Sequence, residues 1–323
     1  MTAQAPISSG FGFDSTATDV LDGIDLTGSY AVVTGGYSGL GLETTRALAA
    51  CGADVLVPAR RPDHARSVLA ELGDTAGDVS VAELDLADQA SVARFVEATV
   101  GAGRPSDILI NNAAIMACPE TRIGPGWEAQ FGTNHLGHFT MTVGLWPLLI
   151  DGGARVISLS STGHKASDIR WDDPMFERGD YDKWIAYGQA KTANALFALH
   201  LDVLGEPHGV RAFSVHPGGI MTELQRHLPR EEMQERGWID ENGNVNPLFK
   251  SPEQGAATSV WAATTPSLDG MGGVYCEDCD VANRTDPEGP FARFLGVDAH
   301  ATDPSSAERL WAMSVELTGV DIT

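Results

Sequence analysis

The chain has 323 residues, 43% of them hydrophobic, and a formal charge of −23. A protein this acidic repels nucleic acid and anionic membrane surfaces, so neither is expected as a partner. No stretch reaches the ~18 apolar residues of a membrane span, and the start "MTAQAPISSGFGFDSTATDV" has neither a basic region nor an apolar run, so a cytoplasmic protein is expected.

From residue 28 onward, short β-rich runs alternate with helical patterns. "YAVVTGG" reads as a strand ending in glycines, and "LGLETTRALAACG" as the helix after it. "ADVLVPA" is the next strand, and "PDHARSVLAELG" a helix closed by Gly73. "VSVAELD" and "QASVARFVEATVG" repeat the pair. "DILINNAA", "RVISLSS" and "VRAFSVHPGG" are three further strands with long helices between them. Strands apolar on both faces and alternating with helices imply a parallel sheet covered on both sides, that is, an α/β doubly wound fold. Three segments fall outside the rhythm: a Gly/Ser/Asp-rich lead-in (1–27), a charged stretch (222–250) and a tail (284–323) with a helix at "SSAERLWAMSVEL". Residues 28–283 are expected to form one catalytic domain.

Cys51 and Cys118 lie in apolar or Ala-rich contexts and read as small core residues. "YCEDC" places Cys276 and Cys279 in a CxxC without a second pair or a nearby His, so no metal site is expected. Lysine is scarce: Lys165, Lys183, Lys191 and Lys250 are all there are.

The first strand runs into "TGGYSGLG", where Gly35, Gly39 and Gly41 form a TGxxxGxG pattern. Glycine suits such a junction because the backbone turns sharply and a pyrophosphate approaches the free N–H groups of the helix start. Asp85 in "ELDLAD" can accept a hydrogen bond from an adenine amino group, or serve a helix cap near Asp88. Asn111 and Asn112 end the fourth strand at the sheet edge where α/β ligand sites form. "WIAYGQAKTANALF" holds Tyr187 and Lys191 four apart, on one face of an otherwise apolar helix.

TGxxxGxG, "NNAA", "TNHLGHF", "SLSS", "YGQAK" and "HPGGIMT" follow one another in the order of the short-chain dehydrogenase/reductase family. The chain resembles that family over about residues 28–280. It is most similar to the retinol-dehydrogenase-like branch, on "NHLGHF" and the long gap between Ser161 and Tyr187. "NNAA" in place of NNAG and Tyr37 in the glycine loop are departures. The resemblance implies hydride transfer between nicotinamide and a carbonyl or alcohol, with Asn134, Ser161, Tyr187 and Lys191 as the catalytic set. Tyr187 would be the acid/base, its phenol eased toward phenolate by Lys191. Ser161 would hydrogen-bond the substrate oxygen, and Asn134 would hold a water leading from Lys191 to solvent. The implied dinucleotide cradle comprises Gly35, Tyr37, Ser38, Gly39, Leu40, Gly41, Arg60, Arg61, Asp85, Leu86, Asn112, Ala113, Ala114, Pro217, Gly218, Ile220 and Thr222, together with Tyr187 and Lys191. His135, His164 and His216 are not needed for this chemistry.

The end of the second strand holds Ala59, Arg60 and Arg61 where an NAD site usually places Asp or Glu, so NADP(H) is expected over NAD(H). Residues 222–250 mix Leu224, Leu228, Met233 and Trp238 with many charges and are expected to be a lid over a bulky, largely apolar substrate. The family often assembles as dimers or tetramers, which makes self-association possible. The alternatives are an enone (C=C) reductase on this fold and a non-catalytic dinucleotide-sensing protein. An epimerase of the extended type fits less well, because its glycine spacing differs.

Overall fold

The structure is a computed structural model that describes residues 2–322. Six parallel strands carry the fold: β1 (Tyr30–Val33), β2 (Asp54–Ala59), β3 (Val79–Glu83), β4 (Ile108–Asn111), β5 (Arg155–Leu159) and β6 (Arg211–His216). The sequence pattern anticipates all six. It does not anticipate β7 (Val274–Glu277) and β8 (Asp280–Val281), which extend the sheet to eight strands in the order β8-β7-β6-β5-β4-β1-β2-β3. β8 pairs antiparallel to β7, and all other pairs are parallel. The "YCEDC" stretch is thus a hairpin whose turn residues, Asp278 and Cys279, have φ of 48° and 58°. All four cysteines are free, and Cys276 and Cys279 are core residues.

Helices α1 (Gly39–Ala50) and α6 (Pro252–Thr264) cover one sheet face, with Leu48, Val260 and Trp261 buried against Val33, Val55 and Val215. The other face is covered by α3 (Gln89–Ala102), α4 (Gly137–Gly144) and α5 (Lys183–Gly205). Helix α2 (Pro62–Leu69) follows β2 directly. Asp182 starts α5 by accepting hydrogen bonds from the N–H groups of Trp184 and Ile185 at 2.7 and 3.0 Å.

Both flanking segments are built into this frame. The lead-in runs along the β7–β8 hairpin: Gln4 Nε2 donates to the Tyr275 and Ala282 carbonyls, and the Ile7 N–H donates to Asp280 at 2.8 Å. In the tail, α7 (Pro304–Thr318) packs on α5. Trp311 stacks on Phe197 with centroids 6.0 Å apart and meets Phe139 edge-on at 4.9 Å. Burying such an indole contributes about 2–3 kcal/mol. Among the described residues no helix is long and apolar enough to cross a membrane.

Candidate active site

The expected residues converge on the carboxyl edge of the sheet. The glycine turn touches two of the other motifs. A Cβ on Gly39 would lie 3.2 Å from Thr222 Cγ2, and one on Gly41 would sit 2.4 Å from the Gly35 carbonyl and 2.6 Å from Asn112 Nδ2. Only glycine allows that approach at position 41. Ser38 stands at the N-terminus of α1 with no side-chain capping bond, which leaves its hydroxyl and the helix-start N–H groups available as donors. Leu40 lies against α6, where it and Ile220 crowd Gly255.

Beyond β2, Arg60 and Arg61 are exposed and pair with no carboxylate among the described residues. Asp63, the acid next to them in sequence, is bonded to Arg66 at 2.7 Å instead. Tyr37 of the glycine loop meets His64 edge-on, with centroids 5.9 Å apart. Asp85 Oδ1 accepts the Ala87 N–H at 3.0 Å in a local turn, while Asp88 is the cap of α3. Leu86 is buried, its carbonyl close against Gly137.

The wall at 112–115 is held from two sides. The Thr34 hydroxyl oxygen accepts from the Asn112 and Ala113 N–H groups at 2.9 and 3.0 Å, and Asn112 Nδ2 donates to the Thr34 carbonyl at 2.7 Å. Asn134 Oδ1 accepts the Ile115 N–H, and its Nδ2 donates to the Ile115 carbonyl, both at 2.9 Å. Ala114 lies between these anchors. Asn111 is buried and donates to Thr142 Oγ1 at 3.1 Å, away from this wall.

Asn134 sits in a π-helical turn, Gly132–Leu136, ahead of α4. Its side chain is anchored to the Ile115 main chain through one donor and one acceptor bond. The residue that sequence reasoning missed is His138. Its Nδ1 lies 3.0 Å from the Asn134 carbonyl, so Nδ1 carries the hydrogen, and Nε2 accepts from the Thr34 hydroxyl at 2.9 Å. Burial pushes its pKa down to about 4 and keeps it neutral. A histidine among the apolar residues of "HLGHF" reads as core, and nothing in the sequence signals that His138 joins the glycine turn to Asn134.

Tyr187 and Lys191 lie on α5, only 5% and 3% exposed. Gly163 makes room for the phenol ring: a Cβ there would be 2.7 Å from Tyr187 Cε1. Ser161 follows β5 and stands beside the Tyr187 ring at Gly163; burial pushes the phenol's pKa up to about 12, and the Ser161 hydroxyl works the other way. Lys191 Nζ donates to the Leu159 carbonyl at 2.8 Å and stands 5.6 Å from the centre of the Tyr187 ring. Burial pulls its pKa down to about 7. In the protein alone, desolvation disfavours both charged forms and the ammonium points at a carbonyl.

On the far side, Pro217 and Gly218 turn the chain after β6, with Gly218 at φ +96° over Lys250. The Ile220 carbonyl accepts from Gln225 Nε2 at 2.7 Å, and Thr222 caps the next turn by accepting the Leu224 N–H. Residues 222–250 then fold over the start of α5. Leu224, Leu228, Met233 and Trp238 form one cluster with Met116, Ala117, Trp184 and Tyr187. Glu232 fastens this segment: its carboxylate accepts from Lys183 Nζ at 2.5 Å and Trp184 Nε1 at 2.7 Å. Arg236 lies 3.7 Å over the Trp184 ring. His135 bonds Ser314 inside the core, and His216 is buried at the end of β6.

A mostly parallel sheet with a glycine turn after β1 and Ser161, Tyr187 and Lys191 together at its carboxyl edge is the arrangement of a short-chain oxidoreductase. Residues 29–233 match the family described as short chain dehydrogenase. The chain belongs to that family, in its retinol-dehydrogenase-like branch. It is 47% identical over 294 residues to a probable oxidoreductase of Streptomyces antibioticus, covering 89% of this chain and 97% of that protein. It is 35% identical over 300 residues to retinol dehydrogenase 12 of Mus musculus, covering 92% and 88% of the two chains. A solved structure of an uncharacterised protein from Mycobacterium Paratuberculosis superposes with a TM-score of 0.73 at 31% identity, covering 96% of this chain and 99% of that one.

Proposed function

We propose that the protein is an NADP(H)-dependent oxidoreductase that interconverts a carbonyl and an alcohol on a bulky, largely apolar substrate. One observation carries the reading. Tyr187 is buried at the sheet edge beside Ser161, with Lys191 one turn further along and an apolar cluster packed on it.

The cradle fits a dinucleotide. Position 41 admits no Cβ, Ser38 and the N-terminus of α1 offer donors, and Arg60 and Arg61 are free to grip a 2′-phosphate. Asn112, Ala113 and Thr222 stand where they would flank it. Bound dinucleotide would supply the hydride and, when oxidised, a positive charge beside the phenol.

The chain's own residues handle the proton. Tyr187 stays protonated far above neutral pH, which suits an acid that delivers a proton to the substrate oxygen in the reducing direction. Ser161 stabilises the charge that grows on that oxygen. Lys191 holds the Leu159 carbonyl and is placed to reach ribose hydroxyls. Residues 222–250 act as the lid. Their cluster of Leu, Met and Trp excludes water and selects apolar substrates, and the Glu232 contacts hold it against α5. The four free cysteines suit a reducing, cytoplasmic setting.

The test is a panel of ketones, aldehydes and alcohols assayed with NADPH and NADH. Turnover is expected with bulky apolar carbonyls and NADPH. A preference for small charged keto acids would overturn the substrate assignment, and no turnover on any member of the panel would overturn the activity.

A further inference from the structure

The tail and His164 have no part in the chemistry above, yet they meet at the catalytic serine. His164 lies three positions beyond Ser161 and is fully buried. Its Nδ1 is 2.6 Å from the Ser161 carbonyl, and its Nε2 is 3.1 Å from the Asp298 backbone nitrogen. Both partners are main-chain groups with fixed roles. The carbonyl requires Nδ1–H, and the N–H requires a bare Nε2, so the ring is neutral and held in one tautomer. Burial, which pushes its pKa down to about 4, keeps it so. The ionisable groups around the ring are Lys165, Asp298, His300, Tyr275 and His216.

Further bonds join the same two segments. Lys165 Nζ donates to the Asp298 carboxylate at 3.0 Å and also to the Thr285 hydroxyl. His300 Nε2 donates to the His164 carbonyl at 3.1 Å. The Gly296 N–H donates to Glu277 at 2.8 Å, fixing the tail to the end of β7. Core formation does not explain this path, because between residues 285 and 300 only Gly296 and Val297 are buried. What the path does is enclose the turn that presents Ser161. That serine has extended backbone, φ −173° and ψ 159°, and its Oγ accepts the Gly163 N–H at 3.0 Å. Rotating its carbonyl would swing Oγ away from Tyr187.

We propose that residues 285–300 brace the catalytic serine and that His164 is the positioning residue through which they act. The proposal rests on the functional reading above, in that Ser161 serves the reaction. His164 itself touches no reacting atom.

Four full-length variants test it. His164→Phe keeps the ring volume and loses both bonds; His164→Asn keeps a donor near the Ser161 carbonyl. Asp298 has φ −73°, which proline adopts, so Asp298→Pro removes the N–H along with the carboxylate, and Asp298→Ala removes the carboxylate alone. His164→Phe is expected to lower kcat about tenfold or more with dinucleotide Kd unchanged. It should also move the pH limb of alcohol oxidation upward, since Ser161, whose hydroxyl lowers the Tyr187 pKa, is loosened. His164→Asn should recover most of the rate, and Asp298→Pro should be slower than Asp298→Ala by about threefold or more. Amide exchange at residues 160–163, which needs no turnover, should rise in His164→Phe and Asp298→Pro. Unchanged kcat and pH limb in His164→Phe, parallel loss of dinucleotide binding, or Asp298→Pro matching Asp298→Ala would each overturn the brace. Unaltered exchange would do so even in the absence of a substrate. If His164→Phe does not fold, the Asp298 pair decides.

Discussion

Arg60 and Tyr187 stand on the same carboxyl edge of the sheet under opposite conditions. Arg60 is exposed and unpaired among the described residues, placed by nothing more than the end of β2. Tyr187, on helix α5, is 5% exposed and packed beside Ser161 at a glycine that clears its ring. On the adenosine side the useful property, a free guanidinium, survives in water and follows from which residue ends the strand. On the catalytic side the useful property is a displaced pKa. That exists only because the fold removes water from the phenol and the ammonium together. A local substitution should therefore retune the first half, whereas the second half should fail as a unit.

The sharpest break is Tyr187→Phe. Removing the phenolic oxygen takes away the proton donor and leaves the glycine turn untouched. Turnover should fall about a thousandfold while dinucleotide Kd and Tm stay close to wild type. A variant keeping more than about a tenth of the activity would remove Tyr187 from the chemistry.

Acid should expose the cost of the buried half next. His135 and His216 are pushed down to about 3, and His138 and His164 to about 4, with burial as the leading cause. Unfolded histidines titrate near 6.5, so below that pH the unfolded chain binds more protons and stability falls as pH falls toward 4. Glu277 opposes this: burial pushes it up to about 7, so its folded carboxyl keeps a proton that the unfolded chain releases above about 4.5. Glu128, also raised by burial, acts in the same direction as Glu277, but the four histidines outweigh the two carboxyls. We expect a loss on the order of 3 kcal/mol between pH 7 and 5, read as a lower Tm by calorimetry. A Tm that stayed level over that range would mean the histidines do not carry these shifts.

The smallest effect belongs to the exposed half. Arg60→Ala should cut the kcat/KM preference for NADPH over NADH about tenfold, and Ala59→Asp with Arg60→Ala should reverse it. Arg60→Ala alone should leave Tm within a degree or two, because its guanidinium is exposed, whereas the double variant should lose more, because Ala59 is buried. If the unmodified enzyme favoured NADH, the Arg pair would be only a solvated helix start, and the catalytic half would be unaffected.

Hydrophobic period and glycine chemistry made six strands, the glycine turn and the Tyr187–Lys191 face readable from contiguous residues, since each depends on neighbours a few positions away. The Arg60 position was readable for the same reason. The β7–β8 hairpin was not, because four- and two-residue strands around a CxxC carry too little period to stand out. Nor was the commitment of the Asn134 side chain to Ile115, the link from His138 to Thr34, or the meeting of the tail with His164. Those depend on partners brought from distant parts of the chain, such as Asp298 against His164. The direction of the Tyr187 and Lys191 shifts was decided in the same way. Residue type and spacing say that a lysine can assist a phenol. Only the packed structure says how much water is left around either, and here desolvation outweighs their proximity.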